Sequence, residues 1–362
     1  MKFRKIISYC LFPLTMWYAV VVLFRNLLFD LGLMRQTVSQ IPTIGVGNLS
    51  CGGTGKTPHV EYLLSLLSGE YKMAMLSRGY RRKSKGFQMD DGSHSAAMLG
   101  DEAAMVAEKF PNVAVAVCKN RIDGIAGLLN AKSDLQMVVL DDVFQHRSIR
   151  PSLNILLTEY QHPFYEDSIL PFGNLRESSR GRLRANIIIV TKSPRVLNPI
   201  DRHNIVAALK MQTYQKVFFS YMEYGDLTPL FGGKKRPLSD FSDVVCVTGI
   251  ANPQPLQSYL REKVNVVPMQ FGDHYNFRED DIKAMVAKLE EIDVKKRAII
   301  TTEKDAARLR DSQFAELLRD VPIYAIDIRV AFHDDDGVAF DREIIKLMKE
   351  NIVYQQRLSQ YR

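Results

Sequence analysis

The chain has 362 residues, of which 46% are hydrophobic and 25% are charged, with a net charge of +7. This composition predicts a globular protein of about two domains, and the positive charge favours anionic partners, namely nucleic acid, phosphorylated substrates or an acidic membrane surface. The four cysteines lie far apart without a CxxC pair, which argues against a disulfide framework or a zinc site and fits a reducing compartment.

An apolar segment opens the chain. The residues from Ile6 to Phe24 are uncharged and lie between Lys5 and Arg25. Their number is marginal for crossing a bilayer, and no small-residue cleavage site of a signal peptide follows. A single crossing with the basic N-terminus inside would export the rest of the chain, away from ATP. We therefore expect residues 1–35 to form a helix in the cytoplasmic face of the membrane, the alternative being a helix buried against the core.

A glycine-rich turn then follows a short predicted strand. Its glycines allow successive backbone N–H groups to face an anion, and the helix that starts near Gly55 adds its positive dipole end. Lys56 would reach the β- and γ-phosphates of ATP, and the Thr57 hydroxyl would bind Mg²⁺. Ser50 stands where the usual pattern has its first glycine, and a purely structural turn is the alternative. The predicted nucleotide-binding residues are Ser50, Cys51, Gly52, Gly53, Thr54, Gly55, Lys56 and Thr57.

The next predicted strand, Met73 to Leu76, ends in a loop dense in arginine and lysine. In a doubly wound parallel sheet such loops face the ligand crevice, so Arg78 is a candidate for substrate contact. The alternative is a solvated charge run. Further along, Asp101 precedes a helical run over residues 103–110, where it either caps the helix or removes a proton from a substrate hydroxyl.

Two later strands end in polar residues. The strand Val113 to Val117 is followed by Lys119-Asn120-Arg121, which is again basic. The strand Met137 to Leu140 is followed by Asp141 and Asp142, the form of a second Mg²⁺-binding motif, although two solvated acids are the alternative. Gln145 and His146 continue into the loop, where His146 could contact substrate or be incidental.

The second half of the chain repeats strand and helix patterns without a second phosphate loop. Residues 216–232 alternate around Tyr224-Gly225-Asp226, which predicts a β-hairpin. The predicted fold is α/β, with a P-loop-containing parallel-sheet core domain and a second, smaller α/β domain. The predicted domains are the helix 1–35, the core 36–213, the hairpin linker 214–236, the second α/β domain 237–340 and a C-terminal helix 341–362.

Several motifs in a fixed order are together more specific than any one of them. The chain resembles the tetraacyldisaccharide 4′-kinase family, the lipid A 4′-kinases, over about residues 43 to 307. The motifs are Gly52-Gly53-Thr54-Gly55-Lys56-Thr57-Pro58, Ser77-Arg78-Gly79-Tyr80, Gly100-Asp101-Glu102, Asp141-Asp142 with Phe144-Gln145-His146-Arg147, Leu170-Pro171 with Leu175-Arg176-Glu177, Asp273-His274 and Thr302-Glu303-Lys304-Asp305.

The resemblance implies transfer of the ATP γ-phosphoryl group to the 4′-hydroxyl of an acylated glucosamine disaccharide 1-phosphate at the cytoplasmic face of the inner membrane. It implies Lys56 for ATP, Asp101 oriented by His274 for the hydroxyl proton, and Mg²⁺ held by the oxygen ligands of Thr57, Asp141, Asp142 and Glu102. We assign Arg78, Arg121, Gln145 and His146 to substrate or phosphate. Departures at Ala103, Val143, Phe172 and Asn174 affect loop shape rather than chemistry.

Two other classes of protein remain as alternatives. A membrane-associated ATPase switch of the partitioning type also combines a Gly-Gly-x-Gly-Lys-Thr loop with a surface helix, but it places a second lysine where Cys51 stands here. A basic nucleic-acid-binding protein is the other, and the sequence lacks a recognisable helix-turn-helix, finger or single-strand-binding motif. We expect no nucleic-acid partner.

Overall fold

The computed structural model describes residues 2–80, 82–250, 252–273, 275–293, 295–310 and 314–360, with side chains described from residue 15 to residue 354. The chain divides into two compact units. Unit 1 comprises Met1–Met222 together with Val330–Arg362, and unit 2 comprises Glu223–Arg329.

Unit 1 alternates strands and helices along most of its length. Its strands are β1 (Thr37–Val38), β2 (Thr43–Asn48), β3 (Met73–Ser77), β4 (Gln88–Met89), β5 (Ala114–Val117), β6 (Met137–Asp141), β7 (Ile149–Arg150), β8 (Leu153–Glu159), β9 (Ile187–Thr191) and the first part of β10 (Lys216–Pro229). Its helices are α1 (Lys2–Asp30), α2 (Lys56–Leu67), α3 (Ala96–Leu99), α4 (Asp101–Lys109), α5 (Arg121–Ala131), α6 (Pro199–Leu209) and α11 (Asp336–Gln360).

The main sheet of unit 1 has the strand order β10-β9-β8-β2-β6-β3-β5-β4. Every neighbouring pair is parallel except β4 with β5, which is antiparallel. Because parallel strands need crossover helices on the sheet faces, this arrangement follows from the alternation of apolar runs and helical segments. The predicted α/β fold with a mostly parallel sheet is confirmed.

Successive side chains of β3 point to opposite faces of the sheet. Met73 and Met75 join a core cluster with α2 and α4, whereas Ala74 and Leu76 join another with α5. Residues 340, 344 and 348 of α11 complete the first cluster at helical spacing. Both faces are thus covered, which explains why these strands are apolar throughout rather than alternating.

Unit 2 is a smaller α/β unit with its own parallel sheet. Its strand order is β12-β11-β13-β14, and each neighbouring pair is parallel. The strands are β11 (Asp243–Thr248), β12 (Asn265–Gln270), β13 (Arg297–Thr302) and β14 (Ile323–Phe332), the last of which ends in unit 1. The helices are α7 (Gln254–Arg261), α8 (Glu279–Glu290), α9 (Glu303–Leu309) and α10 (Ala315–Leu318).

The predicted hairpin at residues 216–232 is wrong. Tyr224, Gly225 and Asp226 continue the single strand β10, which runs from Lys216 to Pro229. An antiparallel bridge does occur further on, between Leu227 and Arg236. Alternation with period two is equally typical of one long strand, and Gly225 lies within that strand without ending it.

The apolar N-terminal segment is a 29-residue helix, α1, from Lys2 to Asp30. Along the part of α1 whose side chains are described, Phe29 is buried while Trp17 is 70% exposed. Within the described part of the chain, no helix is long and apolar enough to cross a membrane.

Candidate active site

The loop between β2 and α2 turns back on itself at two glycines. Gly52 has φ 119° and Gly55 has φ 86°, conformations that side chains with a Cβ rarely adopt. A Cβ on Gly55 would also lie 2.8 Å from the Cε of Met222. The loop therefore delivers the chain into α2 at Lys56, so that the free N–H groups of a 12-residue helix lie at the loop.

Hydrogen bonds hold this loop from the sheet side. The Asn48 side chain donates to the Thr54 hydroxyl at 2.9 Å, and the Thr191 hydroxyl donates to the Thr54 carbonyl at 3.0 Å. All three residues are buried. The loop is thus fixed in shape before any ligand binds, which spares the entropic cost of ordering it.

His59 supports the loop from within α2. Its Nδ1 lies 2.7 Å from the Gly55 carbonyl and its Nε2 lies 3.0 Å from the Ser220 hydroxyl. Because a carbonyl only accepts, Nδ1 carries the proton and Nε2 accepts from Ser220. Burial lowers the pKa of His59 to about 4, so the imidazole is neutral at pH 7.

Two adjacent acids stand at the carboxyl end of β6, beside the loop. The turn that carries them packs closely on β2, where a Cβ on Gly47 would lie 2.6 Å from the Cβ of Phe144. Asp142 has a left-handed φ of 46°, which is rare outside glycine and concentrated at functional sites. Gly47 in β2 and the left-handed backbone of Asp142 together direct the Asp142 carboxylate toward the loop between β2 and α2.

Asp142 meets two cations. Its carboxylate lies 3.5 Å from Lys56 Nζ and 3.1 Å from Arg176 Nη1. Burial acts to raise its pKa, but Lys56 and Arg176 outweigh burial, and the pKa is lowered. The site therefore holds one carboxylate and two cations at the start of α2, the charge set that a polyphosphate with a divalent cation requires.

Asp141 is buried behind Asp142. Its Oδ2 accepts from the Ser77 hydroxyl at 3.3 Å, whereas its Oδ1 has no hydrogen-bond partner among the described residues. Burial and the neighbouring charges of Glu102 and Asp142 raise its pKa to about 6. A buried carboxylate oxygen without a partner is costly, so a cation or an ordered water would stabilise it.

The donor set fits Mg²⁺ bound together with a nucleotide. Among the described residues, no group of three or more His, Cys, Asp or Glu side chains could hold a metal ion by itself. Mg²⁺ prefers oxygen ligands and is usually held by one or two carboxylates plus substrate phosphates and water. Asp141 and Asp142, with the hydroxyl of the buried Thr57, match that pattern.

Arg121 begins α5 and is only 1% exposed. Its Nη1 donates to the Cys118 carbonyl and its Nη2 to the Asp141 carbonyl, both at 2.8 Å. Burial lowers its pKa. The structure places this guanidinium under the strand ends, which is the environment of a positioning residue rather than of the predicted substrate contact.

Asp101 is the first residue of α4, and the predicted cap is wrong by one position. The N-cap is Gly100, with φ 85°, and no side chain caps this helix. A Cβ on Gly100 would lie 2.6 Å from the Tyr80 carbonyl, so the glycine lets the Asp101 segment approach the loop after β3. Glu102, the next residue, is close enough to Asp141 to raise its pKa.

The remaining predicted substrate residues lie on the same edge. Burial lowers the pKa of His146 to about 4, and the positive charges of Arg121 and Arg78 lower it further. Arg78 is exposed. Gln145 is half-buried, and both its amide nitrogen and its amide oxygen form hydrogen bonds. Its amide donates to the Asn48 carbonyl at 2.7 Å and its Oε1 accepts from Arg176 at 3.3 Å.

Sequence reasoning about single residues missed Arg176 and His59. Arg176 lies within a motif, Leu175-Arg176-Glu177, that carried the family resemblance, which was the available indication. No pattern in α2 distinguishes His59 from an ordinary core residue. Its role depends on the Gly55 carbonyl and on Ser220, which is 161 positions away in the sequence.

In unit 2, the polar side chains of Thr302 and Asp305, which belong to the motif at residues 302–305, are hydrogen-bonded to each other and to their neighbours. Asp305 is buried and accepts from the Gly249 N–H at 2.9 Å and from the Thr302 hydroxyl at 2.8 Å. Arg308 donates to its other oxygen at 2.8 Å. The cluster therefore fixes the start of α9 against the end of β11. His274 lies outside the described residues, so its pairing with Asp101 stays a prediction.

Comparison with known proteins gives a consistent result. The family model described as tetraacyldisaccharide-1-P 4′-kinase matches residues 7–348. The tetraacyldisaccharide 4′-kinase of Bacteroides thetaiotaomicron is 40% identical over 355 residues, covering 94% of this chain and 93% of that protein. That of Flavobacterium johnsoniae is 41% identical over 344 residues, covering 94% and 97%.

A solved structure shows the same fold. The crystal structure of LpxK from Aquifex aeolicus, in complex with ATP, superposes with a TM-score of 0.73 at 27% sequence identity. The match covers 94% of this chain and 99% of that one.

Proposed function

The chain belongs to the tetraacyldisaccharide-1-P 4′-kinase family, and from this premise we propose how its residues transfer the γ-phosphoryl group of ATP to the 4′-hydroxyl of a tetraacylated glucosamine disaccharide 1-phosphate. The reaction belongs to lipid A biosynthesis. The observation that carries the assignment is the convergence of Lys56 and Arg176 on Asp142, 3.5 and 3.1 Å away, at the start of α2.

The phosphate groups of ATP lie at the loop of residues 50–57 in this proposal. Lys56 and the N–H groups at the start of α2 bind the β- and γ-phosphates. Thr57, Asp141, Asp142 and Glu102 would hold Mg²⁺. The cation would supply positive charge to neutralise the phosphates during in-line attack on the γ-phosphoryl group. Arg176 then adds a second positive charge beside the transferred group.

Asp101 accepts the proton of the attacking hydroxyl. The 4′-oxygen forms a bond to the γ-phosphorus while the bond from that phosphorus to the β–γ bridging oxygen breaks, and ADP leaves. Asp101 lies at the start of α4, beside the loop that carries Arg78 and next to Glu102. This position supports its role as the base. His274 orients Asp101 in the proposal, and Arg78 and His146 contact the substrate.

The helix α1 associates with the cytoplasmic face of the inner membrane in this account. Its exposed side chains are largely apolar, namely Met16, Trp17, Val20, Val21, Leu23, Phe24 and Leu27. Such a row of exposed apolar side chains on one helix can lie at the headgroup and acyl-chain boundary of a membrane. Loss of vesicle co-sedimentation after Trp17→Ser/Phe24→Ser would support this placement, and unchanged co-sedimentation would contradict it.

The reaction is tested with γ-labelled ATP, Mg²⁺ and the tetraacyl disaccharide 1-phosphate in detergent micelles. We expect label in the lipid phase, dependent on both Mg²⁺ and the lipid acceptor. Hydrolysis of ATP with no labelled lipid, together with nucleotide-dependent dimerisation, would instead support a partitioning-type ATPase switch.

A further inference from the structure

The segment of residues 174–177 forms one wall of the phosphate loop. The Cys51 N–H donates to the Asn174 carbonyl and the Arg176 N–H donates to the Leu49 carbonyl, each at 2.7 Å. Ser50 and Leu175 form an antiparallel bridge between these two hydrogen bonds. Any shift of this wall segment therefore moves the backbone that faces the phosphates.

The same segment supplies a charge to the site. The side chain of Arg176 reaches Asp142, and the carboxylate of Glu177 is 2% exposed. Arg184 and Gln145 donate to Glu177 Oε1 at 2.8 and 3.2 Å. The backbone and two side chains of the wall are thus tied to the nucleotide site.

On its other side the wall segment is held by α1. The Tyr18 hydroxyl donates to the Arg176 carbonyl at 2.8 Å, and the Asn26 amide donates to Glu177 Oε2 at 3.0 Å. These partners are more than 150 positions apart in the sequence, so the contacts exist only in the folded unit. Two hydrogen bonds on each side of residues 174–177 therefore link α1 to the loop between β2 and α2.

A second clamp fixes the C-terminal end of α1. The buried Arg147 donates to the Asn26 carbonyl at 2.9 Å and to the Asp30 carboxylate at 2.6 Å. Its guanidinium also lies over the ring of the buried Phe29, 5.1 Å from the centroid. Arg147 belongs to the loop that follows Asp142, so this loop as well as the segment 174–177 contacts α1.

We infer that α1 is a positioning element of the nucleotide site as well as the proposed membrane helix, acting through Tyr18 and Asn26 on residues 174–177. The inference rests on the proposed ATP site. The contacts to the wall come from one face of α1 and the exposed apolar side chains from the other. Changes on the inner face therefore alter ATP binding, whereas changes on the outer face alter lipid binding.

The Asn26–Glu177 pair allows a test by exchange of hydrogen-bond polarity. Asn26→Asp places a carboxylate against Glu177 and removes the donor, so it breaks the contact. Glu177→Gln keeps a contact between two amides, because the Asn26 amide can turn its oxygen toward the new N–H group. In the double variant Asn26→Asp/Glu177→Gln, the amide of residue 177 donates to residue 26, while the oxygen still accepts from Arg184 and Gln145. Such a cycle isolates the contact from the separate effects of the two substitutions.

The measurement is the dissociation constant of ATP with Mg²⁺ by equilibrium dialysis, without lipid substrate. We expect Asn26→Asp to weaken ATP binding at least fivefold, Glu177→Gln to have a smaller effect, and the double variant to return to within about twofold of the wild type. Asn351→Asp on α11 is the matched control, expected to bind ATP as the wild type does, and Tyr18→Phe is expected to weaken binding independently. Circular dichroism melting verifies that each variant is folded.

Equal ATP affinity in Asn26→Asp and the wild type would overturn the inference. A double variant whose ATP dissociation constant rises by the product of the two single-variant increases would also overturn it. Because the readout is ATP binding, absence of lipid phosphorylation in the wild type would refute the proposed reaction and leave this inference standing.

Discussion

Nη2 of Arg121 donates a 2.8 Å hydrogen bond to the main-chain carbonyl of Asp141, across the carboxyl ends of β5 and β6. This bond and the one to the Cys118 carbonyl tie the first turn of α5 to the residue that we assign to the metal. A buried guanidinium therefore holds the backbone of an acid whose side chain accepts a hydrogen bond from Ser77.

Replacement of Arg121 should cost stability. Arg121→Met leaves two buried carbonyl acceptors without their donor, and each costs about 1–3 kcal/mol. We expect the free energy of unfolding to fall by about 3 kcal/mol in urea titrations. Arg150→Met, at an exposed position in β7, is the control and should change it by less than about 0.5 kcal/mol. An equally small change in Arg121→Met would contradict the positioning role.

Loss of the Lys56 ammonium should lower kcat for phosphoryl transfer. Lys56→Ala removes a charge that is 15% exposed and next to Asp142, and removal of one such preorganised donor typically lowers kcat by about 100-fold or more. Transfer of label from ATP to lipid measures the effect. Lys349→Ala, on the exposed side of α11, should retain full activity. Turnover above a tenth of the wild-type rate in Lys56→Ala would refute the assignment.

Asp101→Asn should separate catalysis from nucleotide binding. An amide cannot take up the hydroxyl proton, and general-base catalysis contributes about 10²–10⁴-fold. We expect kcat to fall within that range while the dissociation constant of ATP changes less than about twofold. Asp134→Asn, at an exposed ion pair with Lys72, is the control for the loss of an acidic side chain and should leave kcat unchanged. Near-normal turnover of Asp101→Asn would exclude Asp101 as the base.

The buried His59 predicts a pH dependence of stability. Its pKa is about 4 in the folded chain against an ordinary value of 6.5. Above pH 6.5 both states are neutral at this position. As the pH falls from 6.5 toward 4, the unfolded state gains a proton that the folded state does not, so stability is lost, by about 3 kcal/mol in total.

The comparison of wild type with His59→Asn isolates this contribution. Unfolding titrations at pH 7 and pH 4.5 should show a smaller difference in the variant, because asparagine does not titrate. The same pH dependence in both proteins would mean that His59 is accessible to protons in the folded state.

The strand ends were predictable because the sequence changes there from apolar to polar residues. The apolar runs of β3, β5 and β6 stop at Ser77, Cys118 and Asp141, and parallel strands bring their carboxyl ends to one edge. Two residues at these strand ends do contact Asp141: Ser77 donates to its carboxylate and Arg121 donates to its carbonyl. The turn between β2 and α2 was predictable from its glycines for the same local reason.

The helix α5 was not predicted, and its glycines explain why. Gly124 and Gly127 lower the helix propensity of the segment. In the fold they allow close packing, since a Cβ on Gly124 would lie 2.7 Å from Leu76 and one on Gly127 would lie 2.8 Å from Phe87. Sequence spacing carries no information about such an approach, because it depends on side chains far along the chain.

The sequence also did not predict whether a polar side chain that follows a strand is exposed or buried. Arg78 and Arg121 both follow buried strands, yet Arg78 is exposed and Arg121 is buried against carbonyls. The wall segment 174–177 likewise acquires its role only by pairing with residues 49–51.

The central claim is that the 4′-hydroxyl receives the γ-phosphoryl group, and the position of the new phosphate tests it most directly. The lipid product of the wild-type protein should show, in proton–phosphorus correlation spectra, one new phosphorus coupled to the hydrogen on carbon 4′. The original phosphate on carbon 1 should be unchanged. A new phosphate on any other carbon, or consumption of ATP without a new lipid phosphorus, would contradict the account.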